Sequence, residues 1–203
     1  MCNPWTMDFA TKCVVKIQEL GGKLERVLDV GSYDVNGTTR VAFAGLNCEY
    51  IGMDLMPGPG VDLIDNIETT IMPGQSFDVL TCTNTLEHVH DWKKAVTQMV
   101  RLTKVDGFLI IVAPSPGFEY HMFPEDNWRF WVEDLKRIFT HPVPTLMEGL
   151  DTDMRRGHYA GSGVLARRCT PDLSLWLNNL AQVNVMNIHK DLHQDRSMVP
   201  DGR

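Results

Sequence analysis

The chain has 203 residues, 43% hydrophobic and 22% charged, enough for one compact domain with a sizeable core and too few for two ordinary ones. Its 19 Lys and Arg against 26 Asp and Glu leave a net charge of −7, with no long basic run to hold a phosphate backbone, so a nucleic-acid partner is not expected. No apolar stretch nears the roughly 20 residues of a membrane span, the opening MCNPWTMDFA lacks a signal peptide's order, and the five scattered cysteines form no CxxC pair, so a soluble chain in a reducing cytoplasm is expected.

Strand-like and helix-like segments alternate, the pattern of an α/β sheet with helices on both faces. From Thr6 an amphipathic helix is expected, with Phe9, Cys13 and Ile17 recurring every four residues, Ala10 and Val14 widening the stripe, and Gly21-Gly22 ending it. RVLDVG (26–31) has the short apolar run of a buried parallel strand. A second strand, CEYIGMDL (48–55), ends in an acid, VDLID (61–65) suits an edge strand, and FDVLTCTNT (77–85) is a fourth. A helix capped by Asp91 then runs to about Lys104 on Trp92, Ala95, Val96, Met99 and Val100. GFLIIVAP (107–114) is the most apolar run and is expected at the centre of the sheet.

Beyond it the pattern changes. SPGFEYHMFPEDNW is irregular and aromatic, and RFWVEDLKRIF (129–139) has the spacing of a helix. TLMEGL (145–150) and GVLARR (163–168) follow as strands. Too little chain separates them for a right-handed helical crossover, so this last pair is expected to be antiparallel. DLSLWLNNLAQVNVM (172–186) is a candidate final helix, whose Leu173, Trp176, Leu177 and Leu180 either cap the core or meet a second copy in a homodimer; a polar tail follows. The fold expected is therefore a Rossmann-like, doubly wound, mostly parallel seven-stranded sheet closed by an antiparallel pair.

In such a sheet a ligand sits beyond the carboxyl ends of the strands. Gly31 is where backbone can approach a ligand, and Asp54 ends the next strand, where its two oxygens can accept both hydroxyls of a ribose. The run Gly31-Ser32-Tyr33-Asp34-Val35-Asn36-Gly37 is not the GxGxxG of a dinucleotide site: Tyr33 replaces the second glycine, and Asp34 would face a pyrophosphate. A phosphate-free nucleoside carrying a positive sulfonium suits this loop better, with Asp65 and Asn66 placed for the adenine amino group. A nicotinamide-dependent oxidoreductase of the short-chain kind needs a Tyr with a Lys four residues on, and the residues four after Tyr33, Tyr50, Tyr120 and Tyr159 are Gly37, Asp54, Pro124 and Gly163. A non-catalytic protein retaining a nucleoside pocket is the remaining alternative.

VLDVGSYDVNG, the acid-ended YIGMDL, PGPGVDLID and FDVLTCTNTLEHVHDW, in that order, resemble the successive motifs of class I S-adenosylmethionine-dependent methyltransferases, in particular the small-molecule branch with "LEH" after the fourth strand. The resemblance covers residues 26–168. It implies S-adenosyl-L-methionine as cofactor, Gly31, Ser32 and Tyr33 at its methionine end, Asp54 with Leu55 beside it at the ribose, Asp65 and Asn66 near adenine, and Asn84 near the methionine amino group. The acceptor it implies is a small molecule, such as a sugar or secondary metabolite. Thr83-Asn84-Thr85-Leu86 lacks the Pro-Pro-aromatic of many nucleobase amino-methyltransferases.

A neutral acceptor must lose a proton as it is methylated, which a base assists. Candidates at the carboxyl edge are His88, His90 and, preferred, His121 in EYHMFPEDNWRFW, where Tyr120, Phe123, Trp128 and Trp131 can exclude water. No metal site is expected: His189 and His193 are spaced like helical ligands, but the metalloprotease glutamate of HExxH is missing.

Overall fold

The computed structural model describes residues 3–35, 37–121, 125–151 and 161–191. Helix α1 (Pro4–Glu19) starts where Asn3 accepts the N–H of Thr6 at 2.8 Å and Pro4 pre-sets the first turn. Strands β1 (Arg26–Val30), β2 (Glu49–Asp54), β3 (Leu63–Ile64) and β4 (Phe77–Thr83) follow, then α2 (Trp92–Leu102), β5 (Thr103–Pro114) and the short β6 (Trp128–Arg129). Helix α3 (Val132–Ile138), strands β7 (Thr145–Asp151) and β8 (Gly161–Arg167), helix α4 (Ser174–Gln182), strand β9 (Met186–Asn187) and helix α5 (Ile188–Asp191) complete the order.

Seven strands form one sheet in the order β3-β2-β1-β4-β5-β8-β7. β1 to β5 pair in parallel, and β8 lies antiparallel between β5 and β7, as the short connection requires. The chain order reverses at β1/β4, so the crevice at their carboxyl ends is where a ligand belongs. α1 covers one face, packing Phe9, Cys13, Val14 and Ile17 on Val27, Val79 and Ile110. α2, α3 and α4 cover the other, burying Val96, Leu135 and Trp176 with Leu28, Leu80 and Leu109. Trp176 and Leu180 thus cap the core, whereas Leu177 is exposed.

Several local expectations are corrected. The middle strand is β4, buried at every position, and β5 is its neighbour. Between β1 and β2 the connection is a 3-10 turn (Thr39–Phe43) in place of the α-helix that alternating strands and helices would put there. Three β-branched residues, Thr38, Thr39 and Val41, disfavour the α conformation there, and Gly45 ends the turn. The expected helix 129–139 starts only at Val132, because Phe130 donates its N–H to Pro114 and Asp134 accepts that of Trp131 at 3.0 Å, which holds the preceding residues extended. Trp128 and Arg129 instead form a two-stranded ribbon with β9, which also shortens the expected helix 172–186.

Candidate active site

The glycine turn is fixed by contacts only glycine allows. Gly31 sits at φ +76°, its N–H donates to Met53, and a Cβ there would lie 1.9 Å from Thr85 Oγ1. Thr85 is itself held by its hydroxyl on the Val30 carbonyl at 3.2 Å. The β2–β3 turn clasps the other side: Asp34 donates its N–H to Pro59, and the Tyr33 ring lies against Gly58. The Ser32 hydroxyl packs over Gly52, buried and without a hydrogen bond among the described residues.

Asp54 ends β2 beside this turn. Its Oδ2 accepts the Tyr33 N–H at 3.1 Å and its Oδ1 that of Met56 at 3.3 Å, while no cation pairs with it among the described residues. Lone pairs on both oxygens remain for a diol, and Leu55 beside it is exposed. The Asp65 N–H donates to the Asp54 carbonyl at 3.0 Å and so brings the next turn alongside. Asp65 spends both oxygens within that turn, accepting the Asn66 N–H and the Thr70 hydroxyl, and Asn66 Oδ1 accepts the Glu68 N–H. The pair therefore builds a turn before it offers anything to a ligand. Asn84, at φ 51° just after β4, points its amide at Thr6 of α1, 3.5 Å away, and so links the sheet to the first helix.

Three residues lining the cleft were not singled out from the sequence: Asp29, Thr38 and Thr83 join Gly31, Ser32 and Tyr33 there. Asp29 is buried and accepts the hydroxyls of Tyr50 at 2.7 Å and Thr81 at 2.6 Å; burial pushes its carboxyl above the usual carboxylate range. The signal was an acid inside an apolar strand, two residues before the turn glycine.

A second cluster forms where the aromatic loop closes on the segment after β4. Asn127 donates its N–H to the Glu87 carbonyl at 2.7 Å, and Trp128 Nε1 donates to Val89 at 2.8 Å. His88 Nδ1 lies 2.5 Å from the Glu125 carbonyl. His121 donates its N–H to Asp126 at 2.9 Å and sets its ring Nδ1 3.2 Å from the same oxygen. The Nε2 atoms of His121 and His88 then stand 3.6 Å and 3.7 Å from Glu87 Oε1, and the two rings meet edge to face. His90 is separate and exposed, facing the Glu125 carboxylate. Asp126 first, and Glu87 with it, raise the His121 pKa to about 9. Both acids facing the ring favour its protonated form. Tyr120 and Trp131 are exposed and Trp128 half-buried; Phe123 and His193 lie outside the described residues.

Residues 8–149 match the model of a family described as a methyltransferase domain. The chain belongs to that family. The methyltransferase domain is 31% identical over 116 residues to the uncharacterized methyltransferase YcgJ of Bacillus subtilis, across 50% of this chain. The matched stretch spans 42% of that relative's length. Among solved structures, the 1,6-didemethyltoxoflavin-N1-methyltransferase of Burkholderia thailandensis shares the fold with a TM-score of 0.59 at 14% identity, over 82% of this chain and 81% of that one. An S-adenosylmethionine-dependent methyltransferase from Clostridium acetobutylicum also gives 0.59, at 12% identity over 81% and 92%. These likenesses carry the mostly parallel seven-stranded Rossmann-like architecture. No helix among the described residues is long and apolar enough to cross a membrane.

Proposed function

We propose that the methyltransferase domain moves a methyl group from S-adenosyl-L-methionine to a small-molecule acceptor such as a sugar or secondary metabolite. The observation that carries this reading is Asp54, a half-buried carboxylate facing the glycine turn with no cation beside it among the described residues. A phosphate-bearing cofactor would meet repulsion from Asp34 in the glycine turn, whereas a cationic nucleoside gains from it. The residues present therefore fit S-adenosylmethionine, which supplies an electrophilic methyl on a sulfonium.

The chain's own contribution is binding and alignment, the source of most of the rate in such a displacement. Asp54 would accept the ribose hydroxyls, and Gly31 lets the backbone approach the cofactor's methionine end. Ser32 and Tyr33 would line that end through their backbone, with Asp65 and Asn66 at the adenine side. Glu87 and His88, two and three residues past the Thr85 that packs on Gly31, and His121 on the loop zipped to them would face the acceptor. There His121 would orient the acceptor as a donor, with His88 beside it. The net charge of −7 supports a small acceptor over a nucleic acid, and the Burkholderia enzyme of this fold has 1,6-didemethyltoxoflavin bound together with S-adenosylhomocysteine.

Incubating the chain with S-adenosylmethionine and a panel of hydroxylated and amino metabolites, with mass detection, tests this. The expected result is one methyl-group gain on a small molecule; methylation confined to added RNA or DNA, or no binding of S-adenosylhomocysteine, would overturn it.

A further inference from the structure

We infer that Glu87, His88 and His121 form a binding site for a divalent transition-metal ion, of the class that two imidazoles and a carboxylate hold, with open positions left for an acceptor's oxygen or nitrogen. Ion binding stands on the geometry alone, and only the ion's use in methyl transfer rests on the function proposed above.

The first argument is distance. One ligand atom from each of the three residues lies within 4.8 Å of the other two. The separations of 3.6 and 3.7 Å between the two Nε2 atoms and Glu87 Oε1 are too long for hydrogen bonds. Metal–nitrogen bonds of about 2.0–2.1 Å place neighbouring ligands of a tetrahedral ion roughly 3.3 Å apart, so a contraction of a few tenths of an ångström completes the set.

The second is the shell behind the ligands. His88 is held through Nδ1 on the Glu125 carbonyl, and His121 through Nδ1 on the Asp126 carboxylate. Arg129 grips Asp126 in turn through two parallel hydrogen bonds. Anchoring both rings by Nδ1 leaves both Nε2 atoms facing Glu87, the arrangement by which proteins orient metal-binding imidazoles.

Burial supplies the third argument. The Glu87 side chain is 1% exposed, and neither oxygen accepts a hydrogen bond among the described residues. Other buried acids of this chain are provided for: Asp29 takes two hydroxyls, Asp126 takes the Arg129 fork, and Asp78 takes the Arg26 N–H and Lys104. A carboxylate withdrawn from water without donors is costly, and a cation compensates for it. The two imidazole side chains are 17% and 24% exposed, which leaves a route for the ion and for a further ligand. Two nitrogens and one carboxylate favour Zn2+, Fe2+, Mn2+ or Co2+ over Mg2+ or Ca2+, which prefer oxygen.

The competing account is a plain His–Glu ion pair, and cobalt distinguishes the two. The purified full chain, stripped with EDTA, is titrated with Co2+ while visible absorption is read. The expected result is saturation at one equivalent with ligand-field bands of a low-coordinate nitrogen/oxygen site, abolished by Zn2+. His121→Ala and Glu87→Gln should each weaken binding tenfold or more, and His189→Ala should leave it unchanged. Circular dichroism melts verify that the variants fold; the wild-type titration decides should they not. Absence of saturable cobalt binding by the folded wild type overturns the site, as does unchanged affinity in both folded ligand variants or loss confined to His189→Ala. S-adenosylhomocysteine binding, measured on the stripped chain, keeps the two readings apart: its failure sinks the methyltransferase assignment and leaves the ion site standing, whereas cobalt failure with the nucleoside bound removes the ion alone.

Discussion

Asp54 Oδ2 accepts the backbone N–H of Tyr33 at 3.1 Å, so the carboxylate that ends β2 also shapes the turn that ends β1. One side chain thus couples the two halves of the proposed nucleoside site. Asp54→Ala removes both the hydroxyl acceptor and this anchor. Calorimetry should show S-adenosylhomocysteine binding weakened by about 1–3 kcal/mol, the cost of a lost hydrogen bond to a charged group. Unchanged affinity would remove Asp54 from the site.

The glycine turn makes a stability prediction that needs no ligand. Gly31→Ala places a Cβ 1.9 Å from Thr85 Oγ1 in a backbone of φ +76°. Strain of about 1–3 kcal/mol adds to an overpacking cost of about 1–3 kcal/mol, and the urea midpoint should fall accordingly. Gly45, at φ +80° with nothing within 4 Å of its notional Cβ, is the control: Gly45→Ala should show the backbone cost alone. Equal losses at the two positions would show that Thr85 does not close on the turn.

How much of this was legible in the sequence depends on the range of the forces involved. Apolar periodicity located α1 and α2, and the short connection before Gly161 was enough to make β8 antiparallel, because these follow from local pattern and chain length. The turn glycine and Asp54 were legible because strand ends in a parallel sheet share one edge. The strand of Trp128 and Arg129, read as irregular chain and the start of a helix, was not legible because its partners, Met186 and Asn187, lie far along the chain. Local spacing carries no record of such a ribbon. His88 and His121 were each visible as rim histidines, but nothing in the spacing could say that Glu87 lies buried between them, since the zipper of Asn127 and Trp128 onto residues 87–89 is a tertiary event. Asp29 escaped notice for the opposite reason: it is local, but its hydroxyl partners Tyr50 and Thr81 come from neighbouring strands.

The buried pair Arg129–Asp126 separates folding from positioning. Arg129 is 2% exposed; besides its two bonds to Asp126 it donates to the carbonyls of Trp128 and Glu119. Asp126 in turn accepts the His121 N–H. Removing one partner strands the other charge in the interior, so Arg129→Met should lower stability by about 3–5 kcal/mol. Arg129→Lys keeps the charge but cannot present the planar fork, and should recover only part of that loss. Replacing both members with apolar residues, Arg129→Met with Asp126→Leu, removes the stranded charge and should return the denaturation midpoint close to wild type. Turnover should not return with it, because His121 then has neither its backbone acceptor nor its ring partner. A double variant that regained full turnover along with stability would show that the pair serves the fold alone and that the orientation of His121 is set elsewhere.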